Sequence, residues 1–180
     1  MPALALTMTA LADQETFTSL LEQHAGIIRK VAFSYTNTFA DRRDLEQEIA
    51  LQLWKSYPRY APERPFSTWM YRVALNVGIS FLRRNTHPAR QTVPLHELPG
   101  ELADETAGAA EQDERIPLLQ QVLATLAPLD RALVLLYLDE HSYRDIASIL
   151  GLTETNVATK LSRLKDRVRE QIEKLNHQKS

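Results

Sequence analysis

Apolar positions recur every three or four residues along most of this chain, and no stretch alternates with the two-residue period of a strand. The first run, from Phe17 through Leu20, Leu21, His24, Ile27, Ile28 and Val31 to Tyr35, predicts one helix capped by Asp13. A second helix is predicted from about Arg43 to Tyr57, stopped by Pro58. The loop Pro58–Pro65, stiffened by its prolines, leads to a third helix capped by Ser67 and ending near Asn85. Farther on, Ile116–Leu126 and Leu129–Leu138 predict a helical pair broken by Pro128. Ser142 with Asp145 marks a capped short helix to Leu150, Gly151 a turn, and Thr153 the cap of a long helix to about Leu175. The expected fold is all-α, with seven helices and no sheet.

Charge divides this pattern in two. The 180 residues carry a formal net charge of −2, but residues 86–115 hold 7 acidic and only 2 basic side chains. The flanks are slightly basic, with 10 basic and 8 acidic residues in 1–85 and 9 and 8 in 116–180. Pro88, Pro94, Pro99, Gly100 and Gly108 fall in the acidic stretch, which therefore reads as a flexible acidic linker. The expected organisation is a disordered leader (residues 1–12), a small N-terminal helix bundle (13–85), the linker (86–115) and a small C-terminal helical domain (116–180).

Several chemistries drop out. The chain has no Cys, which excludes a disulfide scaffold, thiolate metal sites and a Cys nucleophile, and suits a reducing compartment. No run of 18 apolar residues exists, so direct membrane insertion is not expected and a cytoplasmic location is. The five His residues are scattered, and neither a Gly-rich phosphate loop nor a Ser elbow occurs. No catalytic residue, metal ligand, cofactor or small-molecule substrate is assigned, and an enzyme is not expected.

Three helix faces carry chemistry that packing does not require. On the last helix Val157, Leu161, Leu164, Val168 and Leu175 share one narrow stripe, the buried side. The opposite face gathers Thr155, Asn156, Thr159, Lys160, Arg163 and Arg167. Asn, Lys and Arg read base edges in a major groove, and Thr and Arg also position on phosphates. A solvated amphipathic helix would show a similar face. The capped short helix and Gly turn before it form a helix-turn-helix pattern and favour DNA. Asp166 lies on the same face, where it is placed to hold Arg163 or Arg167.

On the second helix Asp44, Gln47 and Glu48 form an acidic patch with Leu51 at its centre, an arrangement suited to a basic partner helix. The third helix is apolar nearly all round except for a stripe holding Trp69, Arg72, Asn76, Ser80 and Arg83. With the loop residues Arg59, Tyr60, Arg64 and Phe66, it offers rings for stacking unpaired bases and cations for their phosphates. The loop aromatics are expected to be exposed, and Trp69 leans toward the core.

These residues carry a resemblance. Asp41-Arg-Arg-Asp44-Leu-Glu-Gln47-Glu48, then Leu53-Trp54, then Phe66-Ser-Thr-Trp69-Met-Tyr71-Arg72-Val-Ala-Leu-Asn76, resembles region 2 of extracytoplasmic-function (ECF) sigma factors. Leu126-Ala-Pro-Leu-Asp-Arg131, Tyr143-Arg-Asp-Ile146-Ala147 through Gly151-Leu, and Val157-Ala-Thr-Lys160-Leu161-Ser-Arg163-Leu resemble their region 4. The resemblance covers about residues 13–85 and 116–175. It implies a factor that binds core RNA polymerase and directs it to promoters. Asp44, Gln47, Glu48 and Leu51 would dock on the β′ clamp helices. Arg59, Tyr60, Arg64, Phe66, Trp69, Arg72, Asn76 and Arg83 would capture and help melt the −10 element. The C-terminal domain would meet the β flap, and its last helix would read the −35 element. An anti-sigma factor is a further implied partner.

The chain departs from the family pattern at Arg42, Arg43 and Glu46 and at Ala158 and Thr159. Two other readings stay open at this point. One is a helix-turn-helix regulator that acts without docking on polymerase; the other is an interaction protein that binds a regulator and not DNA. The linker length fits the first reading. Thirty residues reach about 100 Å when extended but average roughly 30 Å as a free coil. Two DNA sites two helical turns apart lie about 70 Å from each other.

Overall fold

The computed structural model describes residues 14–86 and 115–178. The leader, the Asp13 cap, linker residues 87–114 and the side chain of Leu175 lie outside the described residues. Among those described are eight α-helices and no strand.

The run expected as one first helix is two: α1 (residues 14–23) and α2 (Ala25–Tyr35). They part at His24, whose backbone (φ −112°, ψ 13°) leaves the helical region before Ile27 N–H donates back to its carbonyl at 2.9 Å. The helix α3 (Phe39–Ser56) starts four residues before the expected Arg43. Thr38 is its cap: the Thr38 hydroxyl accepts from Asp41 N–H at 3.1 Å and donates to the Asp41 carboxylate at 2.8 Å. A single 3-10 turn (Tyr57–Arg59) follows, with Pro58 inside it. The helix α4 (Phe66–Asn85) begins after Pro65, so Ser67 lies within the first turn and does not cap it. Pro65 holds an extended ψ of 134° at a φ of −54°, which sets the entry of the chain without a side-chain bond.

In the C-terminal module, α5 (Arg115–Thr125) is followed by α6 (Pro128–Leu138), with Pro128 in the first helical turn, where its missing N–H costs nothing. The helix α7 (Tyr143–Leu150) is capped as expected, Asp145 N–H donating to the Ser142 hydroxyl at 3.1 Å. Gly151 ends it at φ +69°, a left-handed conformation that glycine adopts without strain. The helix α8 (Glu154–Gln178) starts with Asn156 N–H donating to the Thr153 hydroxyl at 3.2 Å.

In the N-terminal module α2, α3 and α4 pack against one another; in the C-terminal module α8 receives α5, α6 and α7. The modules also touch each other, α2 lying on α5 and α6 while α4 lies on α6 and α7. Tyr35 is central to this arrangement. Its buried ring lies so close to Gly78 of α4 that a Cβ there would sit 2.9 Å from it, and its hydroxyl donates to the Pro128 carbonyl at 2.7 Å. Gly78→Val should therefore destabilise the protein by about 1–3 kcal/mol, because the packed ring has nowhere to retreat. Urea unfolding measures this, and an unchanged midpoint would contradict the packing.

Candidate functional site

Alternating burial along α8 separates its two faces. Val157, Leu161 and Leu164 are buried against the module, whereas Thr155, Asn156, Thr159, Arg163 and Arg167 are exposed and Lys160 is half-buried. Thr159 bonds back to the Thr155 carbonyl at 2.9 Å, which fixes its methyl and hydroxyl on the outer surface. Arg167 makes an ion pair at 3.5 Å with Asp130 of α6. Asp166 pairs with Arg169 at 3.5 Å, so it does not hold Arg163 or Arg167. Leu152 N–H closes the turn onto the Ala147 carbonyl at 3.0 Å, fixing α8 relative to α7. A helix held this way, with donors outward and cations farther along, suits duplex DNA.

On α3, Asp44, Gln47 and Leu51 are exposed, and Leu51 is 52% exposed despite its apolar character. Glu48 beside them is half-buried and takes both its bonds from Arg84 of α4, at 2.7 and 2.8 Å. An open groove of about 490 Å³ between α2 and α3 adjoins this patch; Gln47 and Ala50 line it with Arg29, Arg43 and Glu46. Two of the three departures from the family pattern on α3, Arg43 and Glu46, thus line the groove. The third, Arg42, lays its guanidinium over the Phe33 ring at 5.0 Å. Trp54, farther along α3, is 46% exposed and packs edge-on against Phe17 at 5.2 Å.

The loop and α4 bring four rings together. Tyr60 lies 5.2 Å from Trp69 and 5.4 Å from Phe66, Phe66 lies 5.3 Å from Trp69, and Tyr57 stacks on Tyr60 at 6.1 Å. The Tyr60 hydroxyl donates to the Arg64 carbonyl at 2.8 Å, pinning the Pro-rich loop. Phe66 corrects the sequence expectation: at 6% exposure it is buried, between His24, Tyr60 and Trp69, and supports the cluster from beneath. Tyr60 and Trp69 keep partial exposure. Around them Arg59, Arg64, Arg72, Asn76 and Arg83 are exposed.

A further constellation went unnoticed in the sequence. Asp139, just past α6, takes an ion pair from Lys30 of α2 and a hydrogen bond from the Tyr71 hydroxyl of α4, with His141 Nε2 3.8 Å away. Burial alone would raise the Asp139 carboxyl. The bonds from Lys30 and Tyr71, with the charges of Lys30 and His141, outweigh this and hold it below its ordinary value. Burial, then the bond to and charge of Asp139, pushes the Tyr71 hydroxyl far above the usual phenol range. Because the folded carboxyl value is depressed, its stabilisation is complete above about pH 4 and is lost as pH falls through the folded value. Between pH 7 and pH 3 the wild-type protein should lose more stability than Asp139→Asn in urea titrations, and equal losses would contradict the assignment.

Among the described residues the fold is all-helical, and its helix-turn-helix with a cationic outer face fits the class of proteins that meet duplex DNA. Comparison with known families and structures then makes the class specific. Residues 20–87 match the model of Sigma-70 region 2 and residues 117–168 that of Sigma-70, region 4. The chain is 27% identical over 172 residues to the ECF RNA polymerase sigma factor SigE of Mycolicibacterium smegmatis, covering 92% of this chain and 66% of that protein. It is 24% identical over 179 residues to the ECF RNA polymerase sigma factor SigW of Bacillus subtilis, covering 91% and 92%. The fold is also that of the sigma factor RpoE from Bartonella quintana, solved with the anti-sigma factor NepR: TM-score 0.68 at 18% identity, covering 88% of this chain and 98% of that one. CnrH, solved with the cytosolic domain of CnrY, gives TM-score 0.63 at 20% identity, covering 93% and 91%.

The chain belongs to the ECF group of RNA polymerase sigma factors. It is a sigma factor that directs RNA polymerase to promoters.

Proposed function

We propose that the two modules divide the work of promoter recognition along the faces described above, with residues 13–85 acting as region 2, 86–115 as linker and 116–180 as region 4. Asp44, Gln47, Glu48 and Leu51 dock on the β′ clamp helices of core polymerase, with Leu51 as the apolar anchor and the acids as an orienting rim. Tyr60 and Trp69 stack bases of the opened −10 strand, each stack contributing about 1–3 kcal/mol, while Arg59, Arg64, Arg72, Asn76 and Arg83 follow its backbone. Thr155, Asn156, Thr159, Lys160, Arg163 and Arg167 meet the −35 duplex in the major groove, and the same module faces the β flap. The protein acts by binding, in the cytoplasm, and takes no cofactor. An anti-sigma factor is its expected inhibitor, as NepR is the anti-sigma factor bound to RpoE.

The observation that carries this reading is Leu51: an exposed leucine among acids on α3, on a chain whose last helix turns a cationic face outward. Co-purification tests it. The tagged chain should bring down the core subunits from its host; recovery of DNA-bound dimers without core would favour a helix-turn-helix regulator acting alone.

A further inference from the structure

One carboxylate of the polymerase-docking face is already taken. Nη2 of Arg84 donates to both oxygens of Glu48, at 2.7 and 2.8 Å, while Asp44 one turn before Glu48 and Leu51 one turn after it are exposed. Arg84 belongs to α4, the helix whose stripe of Arg72, Asn76 and Arg83 faces outward beside the aromatic cluster. A single ion pair therefore ties the surface suited to a protein to the surface suited to an opened strand. As long as it holds, Glu48 is withheld from one partner and Arg84 from the other.

The pair is built to be exchanged. Its side chains are 49% and 39% exposed, and an ion pair in such contact with water favours its bound form by no more than about fivefold. A basic side chain on a docking helix, anchored by apolar contact with Leu51, competes successfully for the Glu48 carboxylate. Arg84 is then left without an acid partner among the described residues, next to Arg83 in the last turn of α4. That position suits a phosphate. From Trp69 to Arg84 the helix runs about 22 Å at 1.5 Å per residue, the length of about six nucleotides of one strand. A strand stacked on Trp69 and following Arg72, Asn76 and Arg83 thus arrives at Arg84. The Phe81 ring, 5.9 Å from the Arg84 guanidinium, holds the cation over α4 when Glu48 lets go.

We propose that Arg84 is a further strand-binding residue, held in reserve by Glu48 until a docked helix takes the Glu48 carboxylate. The proposal rests on the sigma-factor reading for the identity of that partner, core polymerase. In the free chain the Arg84 guanidinium is neutralised and adds nothing to the grip on a single strand. With core bound it adds one phosphate contact, so its removal costs affinity in the complex alone.

The test follows a fluorescein-labelled single strand of mixed sequence binding to the full chain over a salt series, alone and with core polymerase, the binding of core by itself being subtracted. Without core, Glu48→Gln should bind the strand about threefold more tightly than wild type and steepen the salt dependence by about 0.7, the contribution of one phosphate contact. Adding Arg84→Ala to Glu48→Gln should abolish that gain. Arg84→Ala alone should match wild type without core and bind about threefold more weakly with it. A gain from Glu48→Gln that survives the loss of Arg84 overturns the proposal, because removal of any acid near the strand would then explain it. Equal weakening by Arg84→Ala in both states, or none in either, overturns it too. Failure of the wild-type chain to bind core would instead remove the sigma-factor reading, and the comparison without core would still decide whether Glu48 withholds Arg84 from a strand.

Discussion

Leu51→Asp should abolish association with core polymerase, by at least a hundredfold in apparent affinity, and leave the fold intact. The side chain is 52% exposed on α3, so a carboxylate there meets water and disturbs no packing. Nearby on the same helix Leu45, Ile49 and Leu53 are fully buried and hold it in place. At the interface the same change puts an unpaired charge where an apolar anchor is desolvated, the situation in which single substitutions cost most. Surface plasmon resonance with immobilised core measures the loss, and circular dichroism checks the fold. Normal binding by a folded Leu51→Asp protein would move the docking site elsewhere on the molecule.

Arg163→Ala should weaken promoter use by about 1–3 kcal/mol, the discrimination expected of one bidentate Arg–guanine contact. Arg163 sits on the exposed face of α8 next to the buried Leu164, and no ion pair ties it down among the described residues, whereas Arg167 is shared with Asp130. Its removal should therefore act on DNA and not on stability. If it reads a base, the loss is concentrated at one position of the −35 element. If it only meets phosphate, all sequences weaken alike and the salt dependence flattens. Competition between single-base variants of one promoter distinguishes these outcomes, and unchanged strength on all of them would mean that Arg163 faces solvent or protein.

The division of α8 into faces was legible in the sequence because periodicity depends only on the local chain, and Val157, Leu161 and Leu164 mark it without help from elsewhere. The Ser142–Asp145 cap and Gly151 were legible for the same reason, each being a motif of a few residues. Local signals failed where two competed. Thr38 caps α3, but the polar run Asp41–Arg43 masked the helix start, and the apolar spacing through Ile28 hid the break at His24.

Non-local contacts were not legible at all. Phe66 follows a Pro-rich loop and reads as exposed until Tyr60 and Trp69 close over it. Glu48 and Arg84 look like members of an acidic and a basic surface, yet 36 residues apart they pair with each other. Asp139 lies 109 residues from Lys30, in no motif, and only the packing of α2 and α4 on α6 brings its partners together.

Transcription from a fragment library of the host genome, with core polymerase and this chain as the only factor, tests the central claim most directly. The account predicts discrete start sites sharing two upstream elements about two helical turns apart, all lost with Leu51→Asp and re-ranked with Arg163→Ala. Absence of any chain-dependent start, or starts that persist in the presence of Leu51→Asp, would contradict it.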